Sequence, residues 1–453
     1  MKRIAVWNTA FLGDAVLTLP LIQTLADAFP GSEIDFYVRR GLASLFEAHP
    51  ALHAVYEYDK RRIAGNNRLS ALLKSGRILG GRRYDIWIGA HPSPRSALLA
   101  RLSGAPLRVG YIGGPVAALC YNRRVSRRFS ELHEIERLLE LLKPILPPET
   151  PRQHWPELTL PSEALEKAAA FRESLRQGDQ EPVLLGLHPG SVWGTKRWLP
   201  SGFAEIARRA AARGAHVLVF AGPGEEGVAR DVIALSELKG NPLLHDLSCA
   251  LTLPELAAYL RMLNCYVSND SGPMHLAWAQ HTPVTALFGP TVRELGFFPR
   301  GDSAKVFEVS LECRPCGLHG PHHCPKKHHR CMVDIDVEAV WREGGGGRGN
   351  WGGGGETWGA PPLLQKVSPP PPQNPPLPLQ RLLTLSNPCC RFSRLMACGL
   401  SKKRSPRFSF PLERTPFARP PHQSKFLREG VRGRGLFSKS SLPRLSLSTP
   451  YNH

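Results

Sequence analysis

R-I-A-V-W-N-T-A-F-L-G-D, at residues 3–14, sets the pattern for the folded part of the chain. The apolar run Arg3–Trp7 predicts a buried β-strand. A short turn follows, and Asp14–Phe29 then has the apolar periodicity of a helix. A strand that leads through a short turn into a helix is typical of a βαβ unit around a parallel sheet.

The same alternation continues along the first 342 residues in two blocks. In the first block, strands are predicted at Glu33–Val38, Ile86–Gly89 and Leu107–Gly110, and helices at Gly41–His49, Leu69–Leu79, Arg95–Leu102 and Glu131–Leu142. A proline-rich break covers residues 147–160. In the second block, strands are predicted at Pro182–Leu187, Ala215–Phe220, Cys265–Val267 and Val284–Phe288, and helices at Ser162–Arg176, Ser201–Arg213, Glu225–Leu238, Leu253–Leu263 and Gly272–Gln280. We therefore predict two doubly wound α/β domains, residues 1–160 and 161–342.

Residues 343–453 differ in composition from the rest of the chain. They begin with a glycine- and tryptophan-rich run, continue with a proline-rich one and end in basic, serine-rich sequence. They contain 17 lysines and arginines against four glutamates, and so carry +13 of the net charge of +20. Because little apolar material offsets the entropy of ordering, we predict a disordered low-complexity tail. An alternative is that this basic tail contacts anionic lipid or RNA.

The first 342 residues carry only +7, which is modest for their size and gives little reason to expect nucleic-acid or membrane binding by the folded part. Asp14 interrupts the N-terminal apolar run, and no small-residue cleavage site follows Leu25, so a signal peptide is not predicted. No run of about 18 apolar residues occurs that would predict a transmembrane helix. We expect a cytoplasmic protein.

Asp14 lies at the turn between the first strand and the first helix, where ligands of doubly wound sheets bind. A nicotinamide or flavin site would need the pattern G-x-G-x-x-G here, and only Gly13 is present. One interpretation is that Asp14 is an acid in the first helical turn, stabilised by the helix dipole. The other is that it is a functional carboxylate that faces a ligand.

Two further strand–turn–helix junctions lie in the second block. H-P-G-S-V-W-G-T-K-R-W-L-P, at residues 188–200, combines glycines with two basic side chains and suits a diphosphate, although it could be a solvated surface loop. N-D-S-G-P-M-H, at residues 269–275, offers free backbone N–H groups to phosphate oxygens at a helix start. Asp270 could instead be a capping residue and His275 an ordinary helix-face residue.

Together these stretches resemble glycosyltransferase family 9, the heptosyltransferases of lipopolysaccharide core assembly. The matching blocks are F-L-G-D at residues 11–14, H-P-G-S-x-W-x-x-K-R-W at 188–198, V-S-N-D-S-G-P-M-H-L-A at 267–277 and F-G-P-T at 288–291. The cysteine-containing stretch at residues 313–332 resembles heptosyltransferase II in particular. The resemblance spans residues 1–340 in order and spacing, and the tail matches no part of the family.

The resemblance implies a GT-B fold, in which two Rossmann-like domains face a cleft, with the acceptor on the first domain and the nucleotide sugar on the second. Asp14 matches the family's general base. The residues that match donor-binding positions are Lys196, Glu225, Asp270, Ser271, Gly272 and His275. Lys196 would contact the diphosphate and Asp270 the donor sugar. The nucleotide-contacting acid could be either Glu225 or Glu226.

The implied activity is transfer of heptose from ADP-heptose to a hydroxyl of the heptosyl-Kdo-lipid A inner core. Asp14 would take the hydroxyl proton during a single displacement that inverts the anomeric configuration. Lys196 and the Ser271–Gly272 amides would stabilise the ADP leaving group, so no metal cofactor is expected. We expect a monomer that meets its acceptor at the cytoplasmic membrane face, with peripheral association at the inner membrane, and no nucleic-acid partner.

The four clustered cysteines are Cys313, Cys316, Cys324 and Cys331, interleaved with five histidines. Four soft ligands within about 20 residues could bind a structural zinc ion. The spacing is irregular for a zinc ribbon or knuckle, so packed reduced thiols and a disulfide remain alternatives.

Two other functions stay open at this point. One is a glycosyltransferase of the same fold with another donor or a protein acceptor. The other is a non-catalytic protein that binds sugar nucleotides.

Overall fold

The computed structural model of the chain describes residues 1–59 and 68–343, and this part contains two six-stranded parallel β-sheets flanked by helices. The predicted class, two doubly wound α/β domains, is confirmed. The strands of the first sheet lie within residues 3–125 and those of the second within 184–308. The boundary at residue 160 stays a prediction, and the tail prediction falls outside the described residues apart from Glu343.

The first sheet has the strand order β3-β2-β1-β4-β5-β6. Its strands are β1 (Arg3–Trp7), β2 (Glu33–Arg39), β3 (Ala54–Tyr58), β4 (Ile86–Gly89), β5 (Leu107–Tyr111) and β6 (Arg123–Val125). Its helices are α1 (Leu12–Leu17), α2 (Leu19–Ala28), α3 (Arg68–Gly81), α4 (Pro94–Leu102), α5 (Pro115–Cys120) and α6 (Glu134–Glu140). In the register of the sheet, Trp7 lies between Tyr37 and Gly89.

The second sheet has the order β12-β11-β10-β7-β8-β9, which is the same winding in chain order. Its strands are β7 (Leu184–His188), β8 (His216–Val219), β9 (Leu244–Asp246), β10 (Cys265–Asn269), β11 (Val284–Phe288) and β12 (Ala304–Glu308). The remaining helices are α7 (Ser162–Ser174), α8 (Pro200–Ala211), α9 (Glu226–Ser236), α10 (Leu253–Arg261), α11 (Gly272–Ala279), α12 (Arg330–Val333) and α13 (Val337–Trp341).

In both sheets the strand order reverses beside the first strand, between β1 and β4 and between β7 and β10. Such a switch point leaves a crevice outside the carboxyl ends of the strands, where ligands of these folds bind. The F-L-G-D turn follows β1, and the lysine-containing loop and the N-D-S-G turn follow the neighbouring strands β7 and β10. The topology therefore places all three candidate motifs at switch points.

Two helix predictions are wrong in detail. The predicted helix Gly41–His49 is reduced to one short 3₁₀ turn at Ala43–Leu45. The predicted helix Asp14–Phe29 is two helices, because the backbone breaks at Thr18, which caps α2 just before Pro20. Proline fits the first turn of a helix but not its interior, so a new helix begins there.

Each face of the first sheet has its own apolar core. Ala5, Trp7, Tyr37 and Trp87 form one layer with the inner sides of α3, α4 and α5, and the Trp7 and Trp87 rings stack at 5.3 Å. The alternate side chains of the same strands pack with α1, α2 and α6 in a second layer, which continues into the second sheet's half. None of the described helices has both the length and the apolar character needed to cross a bilayer.

The two halves meet where α1 packs against α11. A Cβ atom at Gly13 would lie 2.5 Å from Cδ2 of His275, and one at Gly272 would lie 2.9 Å from Cβ of Leu12. These distances are shorter than van der Waals contact, so each helix needs glycine where the other approaches. The first turns of the two helices are therefore held against each other.

A buried arginine makes a second contact between the halves. Arg137 on α6 is fully buried, and its guanidinium donates to Glu134 at 2.7 Å and to the carbonyl of Leu295, in the second half, at 2.6 Å. The N–H of Glu134 donates to the carbonyl of Gly296 at 2.8 Å. The ion pair satisfies the buried charge, and the backbone bonds fix α6 to the loop that follows β11.

A Gly13→Ala substitution tests the contact between α1 and α11. The added methyl group would push on the His275 ring, and overpacking of this kind costs about 1–3 kcal/mol of unfolding free energy. Gly81→Ala, where the added Cβ meets nothing within 4 Å, serves as the control. We expect a lower denaturant midpoint for the first variant only, and equal midpoints would contradict the close contact.

Candidate active site

A cavity of about 430 Å³ lies between the two halves. The first half contributes Phe11–Asp14, and the second contributes residues at or after the ends of all six of its strands. The structure brings every residue predicted from the sequence to the lining of this cavity: Asp14, Lys196, Glu225, Asp270, Ser271, Gly272 and His275. Its size is in the range of small-molecule sites.

Asp14 is both a helix-start acid and a cavity residue. Its Oδ2 accepts a hydrogen bond from the N–H of Phe11 at 3.1 Å, which stabilises the first turn of α1. Its other carboxylate oxygen has no protein partner among the described residues. Burial, with a smaller contribution from Glu134, raises the pKa of Asp14 to about 6. A carboxylate with this pKa is a stronger base than an exposed aspartate and is still ionised at neutral pH.

Lys196 and Asp270 form a buried ion pair, with Nζ and Oδ2 at 2.6 Å. The hydroxyl of Thr291 also donates to Asp270 Oδ2 at 2.6 Å. Burial favours the protonated form of Asp270, but the lysine charge and the two hydrogen bonds outweigh it, so the pKa of Asp270 is lowered. The pair keeps a carboxylate and an ammonium group together in the cavity, and the ammonium group retains further N–H bonds for a ligand.

The N-terminus of α11 also faces the cavity. Ser271 is its N-cap and Gly272 its first residue, and the first amides of a helix have no acceptor within the helix. Burial lowers the pKa of His275 to about 4, so its imidazole is neutral at neutral pH. The buried Nδ1 of His275 has no hydrogen-bond partner within the described chain. Free amides and a neutral imidazole N–H can bind anionic oxygens.

The structure distinguishes between Glu225 and Glu226. Glu225 lines the cavity and accepts hydrogen bonds at 3.1 Å from the N–H of Gly222 and from Nε2 of His188. Burial alone would raise the pKa of Glu225, but these partners outweigh it and the pKa is lowered. Glu226 lies outside the lining, where it pairs with the N–H of Gly224 and the thiol of Cys249.

Asn269 connects two of the motifs, and its role was missed in the sequence. Its Nδ2 donates to the carbonyl of Pro189 at 2.9 Å, and its Oδ1 accepts from the N–H of Trp198 at 2.9 Å. Both partners belong to the lysine-containing loop, so Asn269 fixes that loop to the end of β10. Thr291 and His188 were also passed over, although both lie inside the quoted blocks next to residues that were chosen.

The cysteine-rich segment, residues 309–335, covers the lysine-containing loop. The indole of Trp193 stacks on His319, Nε2 of His329 lies 2.7 Å from the carbonyl of Thr195, and Thr195 Oγ1 donates to Pro321. His319 also lines the cavity. The segment therefore helps to position the loop that carries the buried lysine.

The four cysteines of this segment are free thiols in the structure. The N–H of His329 donates to the sulfur of Cys324 at 3.4 Å, and the thiol of Cys316 donates to the carbonyl of Cys313 at 3.3 Å. Among the described residues, no three His, Cys, Asp or Glu side chains form a group that could hold a metal ion.

One side of the cavity is apolar. Phe220 and four leucines line it: Leu247, Leu251, Leu253 and Leu256. An apolar wall of this kind can take a flat apolar ligand surface such as a nucleobase.

Comparison with known proteins gives the family. A model of glycosyltransferase family 9 (heptosyltransferase) matches residues 72–322, more than half of the chain. Lipopolysaccharide heptosyltransferase 1 of Pseudomonas aeruginosa is 29% identical over 348 residues, which cover 74% of this chain and 92% of that protein. Lipooligosaccharide heptosyltransferase 2 of Campylobacter jejuni is 24% identical over 340 residues, covering 75% of this chain and 96% of that protein.

The fold agrees with this match. The solved structure of the Escherichia coli ADP-heptose lipopolysaccharide heptosyltransferase II superposes with a TM-score of 0.61 at 22% identity, covering 76% of this chain and 97% of that one. Types 1 and 2 are both among the relatives, so the subtype expected from the cysteine stretch has only weak support. The chain belongs to glycosyltransferase family 9, the heptosyltransferases, and is a glycosyltransferase with a GT-B fold.

Proposed function

We propose that this enzyme transfers heptose from ADP-heptose to a hydroxyl of the lipopolysaccharide inner core, heptosyl-Kdo-lipid A, with inversion at the anomeric carbon. The observation that carries the proposal is the position of Asp14. Its partly buried carboxylate lines the same cavity as the Lys196–Asp270 pair and the N-terminus of α11, which belong to the other half of the molecule. A base on one wall thus faces an anion site on the other.

The donor site is assigned to the second half. The α11 amides of Ser271 and Gly272, the neutral His275 and the remaining N–H bonds of Lys196 bind the diphosphate. Asp270 accepts hydrogen bonds from hydroxyls of the donor sugar. Glu225 accepts hydrogen bonds from the ribose, and the leucine-lined wall receives the adenine. The name of the E. coli enzyme, which includes ADP-heptose, supports this choice of donor.

The reaction is a single displacement. Asp14 takes the proton from the acceptor hydroxyl while the oxygen of that hydroxyl forms a bond to the anomeric carbon of the heptose. The bond from that carbon to the β-phosphate oxygen breaks, and ADP leaves with the electron pair. Because attack and departure occur on opposite faces of the carbon, the configuration inverts.

The charge that develops on ADP is stabilised by groups that are already in place. The ammonium group of Lys196 and the positive end of α11 are fixed before the donor binds, so they need no reorganisation during the reaction. These groups supply the charge that a divalent ion supplies in other glycosyltransferases. The proposed reaction therefore requires no metal cofactor.

The acceptor is assigned to the first half, at the cytoplasmic face of the inner membrane, and the enzyme is proposed to act as a monomer. The relatives' names support the acceptor class, because they include lipopolysaccharide and lipooligosaccharide heptosyltransferases.

The direct test is ADP release by the full chain from ADP-heptose with heptosylated inner-core acceptor. We expect release that depends on the acceptor, and a product whose new linkage has the opposite anomeric configuration to the donor. Turnover only with another nucleotide sugar would point to a different donor. Tight binding of ADP-heptose without turnover on any acceptor would make the protein a non-catalytic binder and overturn the proposal.

Asp14→Asn tests the base. Asparagine can still accept the Phe11 N–H bond, so α1 should form, but it cannot take a proton. We expect kcat/KM to fall about 10²–10⁴-fold, the usual range for a lost general base, while the Kd for ADP-heptose stays the same. Equal activity of the variant and the wild type would remove Asp14 from the mechanism.

The pH dependence of kcat/KM gives a second test of Asp14. The base is active when ionised, and burial raises the pKa of Asp14 to about 6, so wild-type kcat/KM should rise from pH 5 to pH 7 and then level off. Measurement of kcat/KM over this range should locate the inflection near pH 6. An inflection near pH 4 would mean that the titrating group is an ordinary exposed carboxyl.

Glu225→Gln tests the ribose contact, and its neighbour provides a matched control. Loss of charge-assisted hydrogen bonds should raise KM for ADP-heptose about tenfold or more, with a smaller effect on kcat. Glu226→Gln, a change at a half-buried side chain one residue away and outside the cavity lining, should leave both constants within twofold of the wild type. If the two variants behave alike, the assignment of Glu225 is wrong.

A further inference from the structure

The net charge of the first 342 residues is modest, but their positive and negative side chains are unevenly distributed along the chain. Residues 68–130 contain twelve arginines and lysines and a single acid, Asp85, and so carry +11. Residues 1–67 and 131–342 together carry −4. The excess positive charge of the folded part is therefore confined to one segment of the first domain, which comprises α3, α4, α5 and the strands between them.

This segment forms one continuous face. α4 packs against α3 on one side and α5 on the other, and the inner sides of all three helices cover the Trp7–Trp87 layer of the first sheet. A Cβ atom at Gly76 of α3 would lie 2.8 Å from Cβ of Leu102 on α4, so the helices are in direct contact. We call the outer side of these helices, with the flanking residues 112–114 and 121–128, the basic face.

Arg127 and Arg128, at the end of the basic face, pair with Glu134 and Glu131, but five other basic side chains of the face have no acidic partner in the described part of the chain. Lys74, Arg77, Arg101, Arg123 and Arg124 are exposed, and none of them forms an ion pair with another described residue. Elsewhere on the surface, arginines such as Arg208 and Arg330 are paired with a carboxylate on their own helix. Unpaired like charges repel one another unless an anionic partner neutralises them.

Large aliphatic side chains protrude between these charges. Leu119 is 80% exposed, Ile112 is 60% exposed, and Leu73, Ile78 and Val116 are also exposed. They account for five of the twelve large apolar side chains that the described residues expose. Combined basic and protruding aliphatic side chains are the composition that binds the interface of an anionic bilayer.

We propose that the basic face docks the enzyme on an anionic phospholipid bilayer. A second copy of the chain fits poorly, because two faces with unpaired arginines and lysines would repel each other. Single-stranded nucleic acid is bound through aromatic stacking, and the exposed large apolar side chains of this face are all aliphatic. Bilayer docking satisfies both features at once, since the charges meet lipid phosphates and the aliphatic side chains enter the acyl boundary.

The basic face lies close to the cavity, so docking would bring a lipid-anchored acceptor to the active site. Ile112 follows β5 directly, and Asp14 lies in the turn after β1 of the same parallel sheet. Parallel strands end at one edge, so the apolar end of the basic face adjoins the rim of the cavity on the first domain. If the acceptor is lipid-anchored, as the proposed function holds, its sugars can reach Asp14 while its acyl chains stay in the bilayer.

The test is co-sedimentation of the full chain with vesicles that contain phosphatidylglycerol, compared with pure phosphatidylcholine vesicles, in the absence of donor and acceptor. The charge variant is Arg123→Glu with Arg124→Glu, and its control is Lys326→Glu with Lys327→Glu, an adjacent exposed pair in the second domain. The apolar variant is Leu119→Asp, and its control is Leu235→Asp, an exposed leucine on α9.

We expect salt-sensitive binding to the anionic vesicles, a loss of tenfold or more for the charge variant, about tenfold for Leu119→Asp, and changes within twofold for both controls. All variants carry the same basic tail, so equal binding by all of them would assign the contact to the tail and overturn the proposal. A change in oligomeric state by light scattering, or binding to RNA in preference to vesicles, would also overturn it.

Activity separates this proposal from the proposed function. With a de-acylated, water-soluble acceptor, the face variants should turn over at the wild-type rate, whereas with acceptor in vesicles they should lose most of their activity. Equal losses on both acceptors would mean that the face acts on the active site itself, contrary to the docking proposal. Thermal unfolding midpoints confirm that each variant is folded.

Discussion

The first turns of α1 and α11 approach so closely that neither Gly13 nor Gly272 has room for a side chain, and the arrangement of the site depends on this contact. α1 follows β1 and α11 follows β10, and each of these strands lies at the switch point of its own sheet. The contact therefore joins two crevices, which would otherwise be separate ligand sites, into a single cavity. It also gives that cavity one wall from each half, with the Asp14 carboxylate on one and the Lys196–Asp270 pair and the N-terminus of α11 on the other.

Burial has opposite consequences for the two aspartates of this cavity. Asp14 has one backbone hydrogen bond and no cation in direct contact, so loss of water dominates and its pKa rises. Asp270 has a lysine and a threonine hydroxyl on one oxygen, and these outweigh burial, so its pKa falls. The raised pKa suits Asp14 to proton transfer, and the lowered pKa keeps Asp270 charged. Such a division is common among paired catalytic carboxyls.

The sequence allowed the four central strands of each sheet to be predicted, because each is a run of buried apolar residues. It did not reveal the four edge strands β3, β6, β9 and β12. Most of their residues are only partly buried, and Arg123–Val125 contains two exposed arginines, so no apolar run marks them. The motif residues could be placed because strand ends at a switch point converge. Asn269 and Arg137 could not, since their roles depend on partners far away in the chain.

The buried Arg137 opposes separation of the two halves. A hinge motion that drew α6 away from the loop after β11 would break the hydrogen bond from Arg137 to the carbonyl of Leu295 and the backbone bond from Glu134 to Gly296. Wide separation of the halves therefore carries a free-energy cost that a motion keeping α6 on this loop does not.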